Sequence, residues 1–216
     1  MKKNYFIFDV DGTLVDTKFQ NIESFKKVMA KNTKVEVGED ALRMASGLPG
    51  KETLRRLNIE NVDKVYEDWA DEMAKLDYTV KLYDGVVELL SFLKKKSYKL
   101  GIVTSRTESE IKVDKVLMSI IDYFDTVVEV SDGLKSKPNP DQLLKAIKCL
   151  NADKESALYI GDTLYDYQCA KNAGVDFRLA CWGYKDDEKE ALLSGLPNLK
   201  SYNSPYEAIE EFQNQR

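Results

Sequence analysis

Asp9 and Asp11 occupy alternate positions in Tyr5-Phe6-Ile7-Phe8-Asp9-Val10-Asp11-Gly12-Thr13-Leu14, where an apolar run meets a glycine. Two carboxylates so close repel each other unless a cation or a shared proton relieves them. Mg²⁺, a hard ion that takes carboxylate and phosphate oxygens together, would do so, and the pair therefore suits metal-assisted phosphoryl transfer. Three more apolar runs end in groups of matching chemistry. Ile102-Val103 leads into Thr104-Ser105, whose hydroxyl and backbone N–H groups suit phosphate oxygens. Ser136-Lys137-Pro138-Asn139-Pro140-Asp141 sets an ammonium just ahead of a proline-stiffened helix start. Tyr159-Ile160-Gly161-Asp162-Thr163-Leu164-Tyr165-Asp166 supplies two further carboxylates four positions apart. The chain has no histidine, which removes imidazole bases, serine-histidine triads and His-rich metal sites. Carboxylates must carry the proton transfers.

The surrounding elements have to bring these groups to one place. Tyr5–Phe8 reads as a buried strand that ends near Gly12, and in an open α/β sheet ligands bind at the carboxyl ends of strands. Residues 17–78 carry helical apolar spacing, with helices expected at Phe19–Lys31, Glu39–Ser46, Lys51–Asn58 and Asn61–Tyr78. From about residue 80 the pattern alternates: a helix over residues 85–93, strand Tyr98–Thr104, helix Ser109–Met118, strand Thr126–Val130, helix Asp141–Leu150, strand Ala157–Ile160, helix Tyr165–Ala173 and strand Val175–Ala180. Pro205–Phe212 closes the pattern as a helix with Ser204 as its N-cap. Such alternation predicts βαβ units and a parallel sheet. The expected fold class is α/β, a Rossmann-like parallel sheet built from residues 1–15 and 80–216 and interrupted by a helical insertion over residues 16–79.

At 216 residues and 43% hydrophobic content, the chain can bury one good-sized core and a small second domain. A formal net charge of −5 offers no global field for nucleic acid or an anionic membrane, so an anion site must be local. Cys149, Cys169 and Cys181 are odd in number and show no CxxC spacing, which argues against a disulfide framework or a zinc site. They read as small apolar residues in a reducing cytoplasm. Lys2-Lys3 precedes only four apolar residues, too few for a signal peptide, and nothing approaches the roughly 20 needed to span a bilayer.

With these residues in view, the chain resembles the haloacid dehalogenase superfamily, in its phosphatase branch with an α-helical cap domain inserted after the first motif. The matching residues are Asp9-Val-Asp11-Gly-Thr13-Leu-Val-Asp16, Thr104, Lys137-Pro-Asn-Pro and Gly161-Asp162-Thr-Leu-Tyr-Asp166, in order along the chain. Ala173-Gly174-Val175 and Trp182-Gly183-Tyr184 resemble the phosphoglycolate-phosphatase-like subgroup. The resemblance implies that Asp9 attacks phosphorus and becomes an aspartyl-phosphate. Asp11 would protonate the leaving oxygen and then deprotonate the hydrolytic water, while its backbone carbonyl joins Asp9 and Asp162 around Mg²⁺. Asp166 would orient a metal-bound water or Lys137. Thr104, with Ser105 beside it, and Lys137 would bind the transferring phosphoryl group. The implied partner is a small phosphorylated cytosolic metabolite, with phosphoglycolate, a sugar phosphate or pyrophosphate as candidates.

Several residues carry competing readings. Asp16 belongs to the family string but reads as a helix cap. Ser105 and Arg106 sit next to the phosphate strand, and an exposed polar loop explains them equally well; Trp182 and Tyr184 could close over a ligand, with packing at the edge of the core the favoured role. In the insertion, Gly47, Pro49 and Gly50 mark a bend that could carry Lys51 to the mouth of the site; a solvated face formed by Lys51, Arg55 and Arg56 is the alternative. Two other functions stay open, a mutase and a non-catalytic binding protein, while a dehalogenase is disfavoured. A mutase resembling β-phosphoglucomutase would return the phosphoryl group to a sugar, although Ser46 and Gly50 stand where that subgroup would have basic residues. A dehalogenase would not need Asp11 and a full metal site. A non-catalytic binding protein on the same fold would not need every catalytic group. The sequence leaves the oligomeric state open.

Overall fold

Successive side chains of a strand face opposite sides of its sheet, so a strand that is apolar throughout belongs between two layers. Strand β1 (Tyr5–Phe8) is such a strand: Phe6 and Phe8 pack on one side, Ile7 on the other, and all three are fully buried. The computed structural model describes residues 2–196 and 198–213; residues 1, 197 and 214–216 of the expected core lie outside the described residues. After β1, the short strand β2 (Val15–Asp16) leads into four helices, α1 (Lys18–Asn32), α2 (Glu39–Gly47), α3 (Gly50–Arg56) and α4 (Val62–Ala74). The chain then returns through β3 (Lys81–Leu82), which pairs antiparallel with β2. We take this two-stranded ribbon as the junction between cap and core.

The core continues with α5 (Val86–Lys95), β4 (Lys99–Val103), α6 (Glu108–Val113), α7 (Lys115–Met118), β5 (Thr126–Val128), α8 (Asp141–Leu150), β6 (Ala157–Gly161), α9 (Leu164–Ala173), β7 (Asp176–Ala180), α10 (Asp186–Ser194), β8 (Ser201–Tyr202) and α11 (Pro205–Gln213). Six strands form one parallel sheet in the order β5-β4-β1-β6-β7-β8. Helices α5 and α11 cover the Phe6–Phe8 face through Leu89, Leu90, Leu93 and Phe212. Helices α8 and α9 cover the Ile7 face through Leu143, Ala146, Cys169 and Ala170. Chain order reverses at β1, with β4 on one side and β6 on the other. The carboxyl ends of those three strands therefore flank the crevice in which such sheets bind ligands.

The cap has a core of its own, built from Phe25, Val28, Met29, Leu54, Val65 and Trp69. The Trp69 indole N–H donates to the Ser24 hydroxyl at 3.0 Å, and the Phe25 and Trp69 rings lie 4.8 Å apart. Among the described residues, no helix is long and apolar enough to cross a membrane.

Beyond shifts of one or two residues at element ends, such as β5 stopping at Val128 and α3 at Arg56, the structure differs from the pattern-based elements in four places. The single helix expected at Ser109–Met118 is broken into α6 and α7 because the Asp114 carboxylate accepts the N–H groups of Val116 and Leu117 and starts a new helix. The helix expected to reach Tyr78 stops at Ala74, followed by a 3₁₀ turn over Asp77–Thr79. Helix α10 buries none of its residues, so it carries no apolar stripe to read. Strands β2, β3 and β8 are two residues long, too short for an alternation.

Phe6 stacks edge-on to Phe212 at 4.7 Å and against Tyr98 at 5.1 Å, at the centre of the larger core cluster. Phe6→Ala is expected to cost about 3–5 kcal/mol. Urea unfolding should show a lower midpoint with an unchanged slope.

Candidate active site

Asp9 is the first residue past β1, and its N–H extends the ladder by donating to the Ile160 carbonyl at 2.9 Å. The chain turns at Gly12, where φ is +79° and a Cβ would run into the Asp162 carboxylate; only glycine fits both conditions. On β6, a Cβ at Gly161 would lie 2.6 Å from the Cβ and Cγ of Asp166, so the strand end must stay bare for Asp166 to fold over it. Asp166 owes its position to a capping box at the start of α9. Its carboxylate accepts the Thr163 N–H at 3.0 Å, and the Thr163 hydroxyl accepts the Asp166 N–H at 3.2 Å.

Lys137, from the loop between β5 and α8, reaches into the centre and is only 2% exposed. Its ammonium donates at 2.7 Å to Asp9 Oδ1, at 2.7 Å to Asp166 Oδ1 and at 3.2 Å to the Tyr159 hydroxyl. Tyr159 in turn donates to Asp166 Oδ1 at 2.6 Å. Oxygens of Asp9, Asp162 and Asp166 all lie within 4.8 Å of one another, a buried set of hard ligands suited to a divalent cation. Asp162 takes only a long hydrogen bond of 3.4 Å, from the Thr13 hydroxyl, among the side-chain bonds of the described residues.

The charges of this cluster do not balance. Burial pushes the Asp9 carboxyl up to about 7, against the pull of Lys137 and with the help of Asp166 and Asp11. Burial, with Asp166 and Asp9 nearby, raises Asp162 well above the usual carboxylate range. For Asp166 burial acts in the same direction, but Lys137, Thr163 and Tyr159 outweigh it and hold the carboxyl below its ordinary value. Two of the three carboxylates thus lack sufficient positive charge, and a divalent cation would provide it.

Asp11 lies apart from that set. Its Oδ1 accepts Arg106 Nη2 at 2.8 Å and the Thr17 hydroxyl at 2.8 Å, and its Oδ2 accepts Arg106 Nε at 2.9 Å. Burial opposes ionisation here too, but the Arg106 guanidinium outweighs it and lowers the carboxyl. Thr104, fully buried at the end of β4, accepts the Arg106 N–H on its hydroxyl at 3.2 Å.

A family model for haloacid dehalogenase-like hydrolases matches residues 6–180, from the strand before Asp9 to the end of β7. The chain belongs to that family. Pyrophosphatase PpaX of Halalkalibacterium halodurans is 32% identical over 206 residues, covering 92% of this chain and 96% of its own. The solved structure of a hydrolase from Pseudomonas syringae superposes with a TM-score of 0.82 at 26% identity, over 99% of this chain and 98% of that one. A predicted phosphatase from Clostridium acetobutylicum gives 0.80 at 27% identity over 100% of both chains. The motif-based expectation of an enzyme of the family's phosphatase type is supported by these likenesses.

In this haloacid dehalogenase-like hydrolase the cap faces the core across a cleft of about 1110 Å³, lined among others by Asp11, Gly12, Thr17, Asn21, Asp162 and Tyr184. Gly47, at the end of α2, lies so close to α9 that a Cβ there would approach Tyr165 to 2.6 Å. The Ser105 hydroxyl donates to the Gly47 carbonyl at 3.2 Å, so this side chain ties the core to the cap instead of facing a phosphate as expected. Lys51 does not line the cleft. Its ammonium pairs with Asp63 at 2.6 Å and lies over the Tyr66 ring, on the solvated face that was the alternative reading. Asp16 is in β2 and accepts from the Tyr83 hydroxyl at 3.4 Å, while Thr17 holds the N-cap position expected for it. Trp182 and Tyr184 do more than pack: they donate to the carbonyls of Thr13 and Asp162 at 2.9 Å each and brace both carboxylate-bearing loops.

Tyr159 was not singled out from sequence, and Arg106 was named there without a partner. Tyr159 had a signal, a hydroxyl within a buried apolar run that needs a partner. Arg106 had its place beside the phosphate strand as a signal, but nothing local pointed to its partner Asp11, 95 positions away.

Without metal, the Asp9 carboxyl should penalise the folded state over a defined window. Below its ordinary value of 3.8 the proton is held in both folded and unfolded chains; as pH rises toward about 7 only the folded chain retains it, and stability falls. Asp9→Asn lacks that loss. In EDTA, its melting temperature should gain on wild type between about pH 4 and pH 7, and Mg²⁺ should raise wild type more than the variant. A difference that stays flat with pH in EDTA would contradict the assignment.

Proposed function

We propose that the protein is a Mg²⁺-dependent hydrolase of a small phosphorylated metabolite, acting through an aspartyl-phosphate on Asp9. The observation that carries this reading is the buried cluster in which Lys137 touches Asp9 at 2.7 Å, with Asp162 and Asp166 beside them. The Asp9 and Asp162 carboxylates and the Asp11 backbone carbonyl would hold Mg²⁺, whose bound charge would neutralise phosphoryl oxygens beside the carboxylates. An oxygen of Asp9 forms a bond to phosphorus as the bond to the leaving oxygen breaks, and Asp11, in its protonated form and with the Arg106 fork withdrawn, gives that oxygen its proton. Water then attacks the aspartyl-phosphate, Asp11 takes the water's proton, and inorganic phosphate departs with the Asp9 carboxylate restored. Lys137 and the Thr104 hydroxyl hold phosphoryl oxygens through both steps. Asp166 keeps the Lys137 ammonium in place.

The likeness to Pyrophosphatase PpaX supports pyrophosphate as a candidate substrate beside phosphoglycolate and sugar phosphates. The free cysteines fit a reducing, cytoplasmic setting.

Phosphate release from a panel of phosphorylated metabolites and pyrophosphate tests this reading, with Mg²⁺ or EDTA. Activity should require the metal and fall by about a thousandfold or more in Asp9→Asn. A folded Asp9→Asn protein with undiminished turnover would sink the nucleophile assignment. Transfer of label between hexose carbons without phosphate release would establish the mutase instead.

A further inference from the structure

Arg106 is the guanidinium beside Asp11, and it occupies the carboxylate that proton transfer needs. Its Nε and Nη2 bridge both Asp11 oxygens at 2.9 and 2.8 Å, so a leaving oxygen reaches Asp11 only by sharing or displacing that fork. The Arg106 side chain is 14% exposed. Stripping a nearly buried guanidinium of a carboxylate partner is unfavourable unless another anion takes its place. A neutral leaving group, such as a sugar or an aryl alcohol, brings no replacement. A leaving group with its own anion beside the scissile oxygen does, because the planar fork matches a phosphate or carboxylate in two-point fashion.

The other side of Arg106 is anchored for such an exchange. Nη1 donates to Asp114 Oδ2 at 2.5 Å, while Asp114 Oδ1 is fixed by the N–H groups at the start of α7. The guanidinium therefore keeps one partner when it leaves Asp11. Arg106 meets the cleft through Asp11, and the cations that line the cleft are already matched: Lys18 pairs with Glu188 at 2.6 Å and Arg43 with Asp40 at 2.7 Å, both far more exposed than Arg106.

Resting on the hydrolase reading above, we propose that Arg106 selects substrates by their leaving group. It holds Asp11 until the second phosphoryl group of a diphosphate takes over the fork, and Asp11 is then free to meet the bridging oxygen. The substrate class is a phosphoanhydride; a carboxylate two bonds from the leaving oxygen presents the same chemistry, and the test separates the two.

The experiment compares wild type, Arg106→Ala and Arg106→Lys with Mg²⁺ on pyrophosphate, 2-phosphoglycolate and p-nitrophenyl phosphate. Calorimetry with imidodiphosphate, which resists hydrolysis, gives a readout apart from turnover. In Arg106→Ala, the ratio of kcat/KM for pyrophosphate to that for p-nitrophenyl phosphate should fall by about 10- to 100-fold, and imidodiphosphate affinity by a similar factor. Arg106→Lys, which keeps the charge but not the fork, should fall by less, and it carries the test if the alanine variant does not fold. A larger fall for 2-phosphoglycolate than for pyrophosphate overturns the phosphoanhydride in favour of the carboxylate. Ratios unchanged within about threefold in an active enzyme overturn the role of Arg106 and leave the hydrolase reading standing. Arg106-dependent imidodiphosphate binding in a wild type that releases no phosphate does the reverse.

Discussion

The Lys137 ammonium is 2% exposed and lies 2.7 Å from both Asp9 and Asp166. Charges so buried are tolerated only in company, since removing one partner strands the other in a medium that cannot solvate it. Much of the surrounding architecture serves to bring that company together. β1 ends at Asp9, the loop after β5 brings Lys137, and a capping box at the head of α9 fixes Asp166. Gly12 and Gly161 stay bare because the carboxylates of Asp162 and Asp166 fill the space a side chain would take. The cluster is nevertheless short of positive charge at Asp9 and Asp162. Sites built for chemistry commonly carry such unrelieved cost, and the rest of the fold must offset it.

Two apolar core clusters, one on each face of the sheet, and a helical cap provide the offset. Phe6 and Phe8 on one face of β1 and Ile7 on the other put the most constrained strand at the middle of the sheet. The cap keeps a separate apolar cluster around Phe25 and Trp69.

What the sequence discloses follows from how local each determinant is. The strand ends at Asp9, Thr104 and Asp162 were readable because an apolar run that stops at a polar residue is a pattern within a few positions. Helix α8, Asp141–Leu150, was readable to the residue because its apolar stripe is continuous and a proline precedes it. The break at Asp114 was hidden because the apolar spacing runs through it while a side-chain cap interrupts the backbone. Arg106 and Lys51 each kept two readings from sequence, because each acquires its partner through tertiary folding: Asp11 for one and Asp63 for the other. Helix α10, with no buried residue, offered no pattern at all.

Thr104, Ser105 and Arg106 follow one another in the loop after β4, yet they touch three different things. The Thr104 hydroxyl accepts the Arg106 N–H next to Asp9's strand, Ser105 holds the Gly47 carbonyl of the cap, and Arg106 grips Asp11. Any displacement of the cap at Gly47 is applied to the middle residue of this tripeptide. Its neighbours on both sides are the Thr104 that ends β4 and the Arg106 that grips Asp11, so the tie to the cap stands one peptide unit from each.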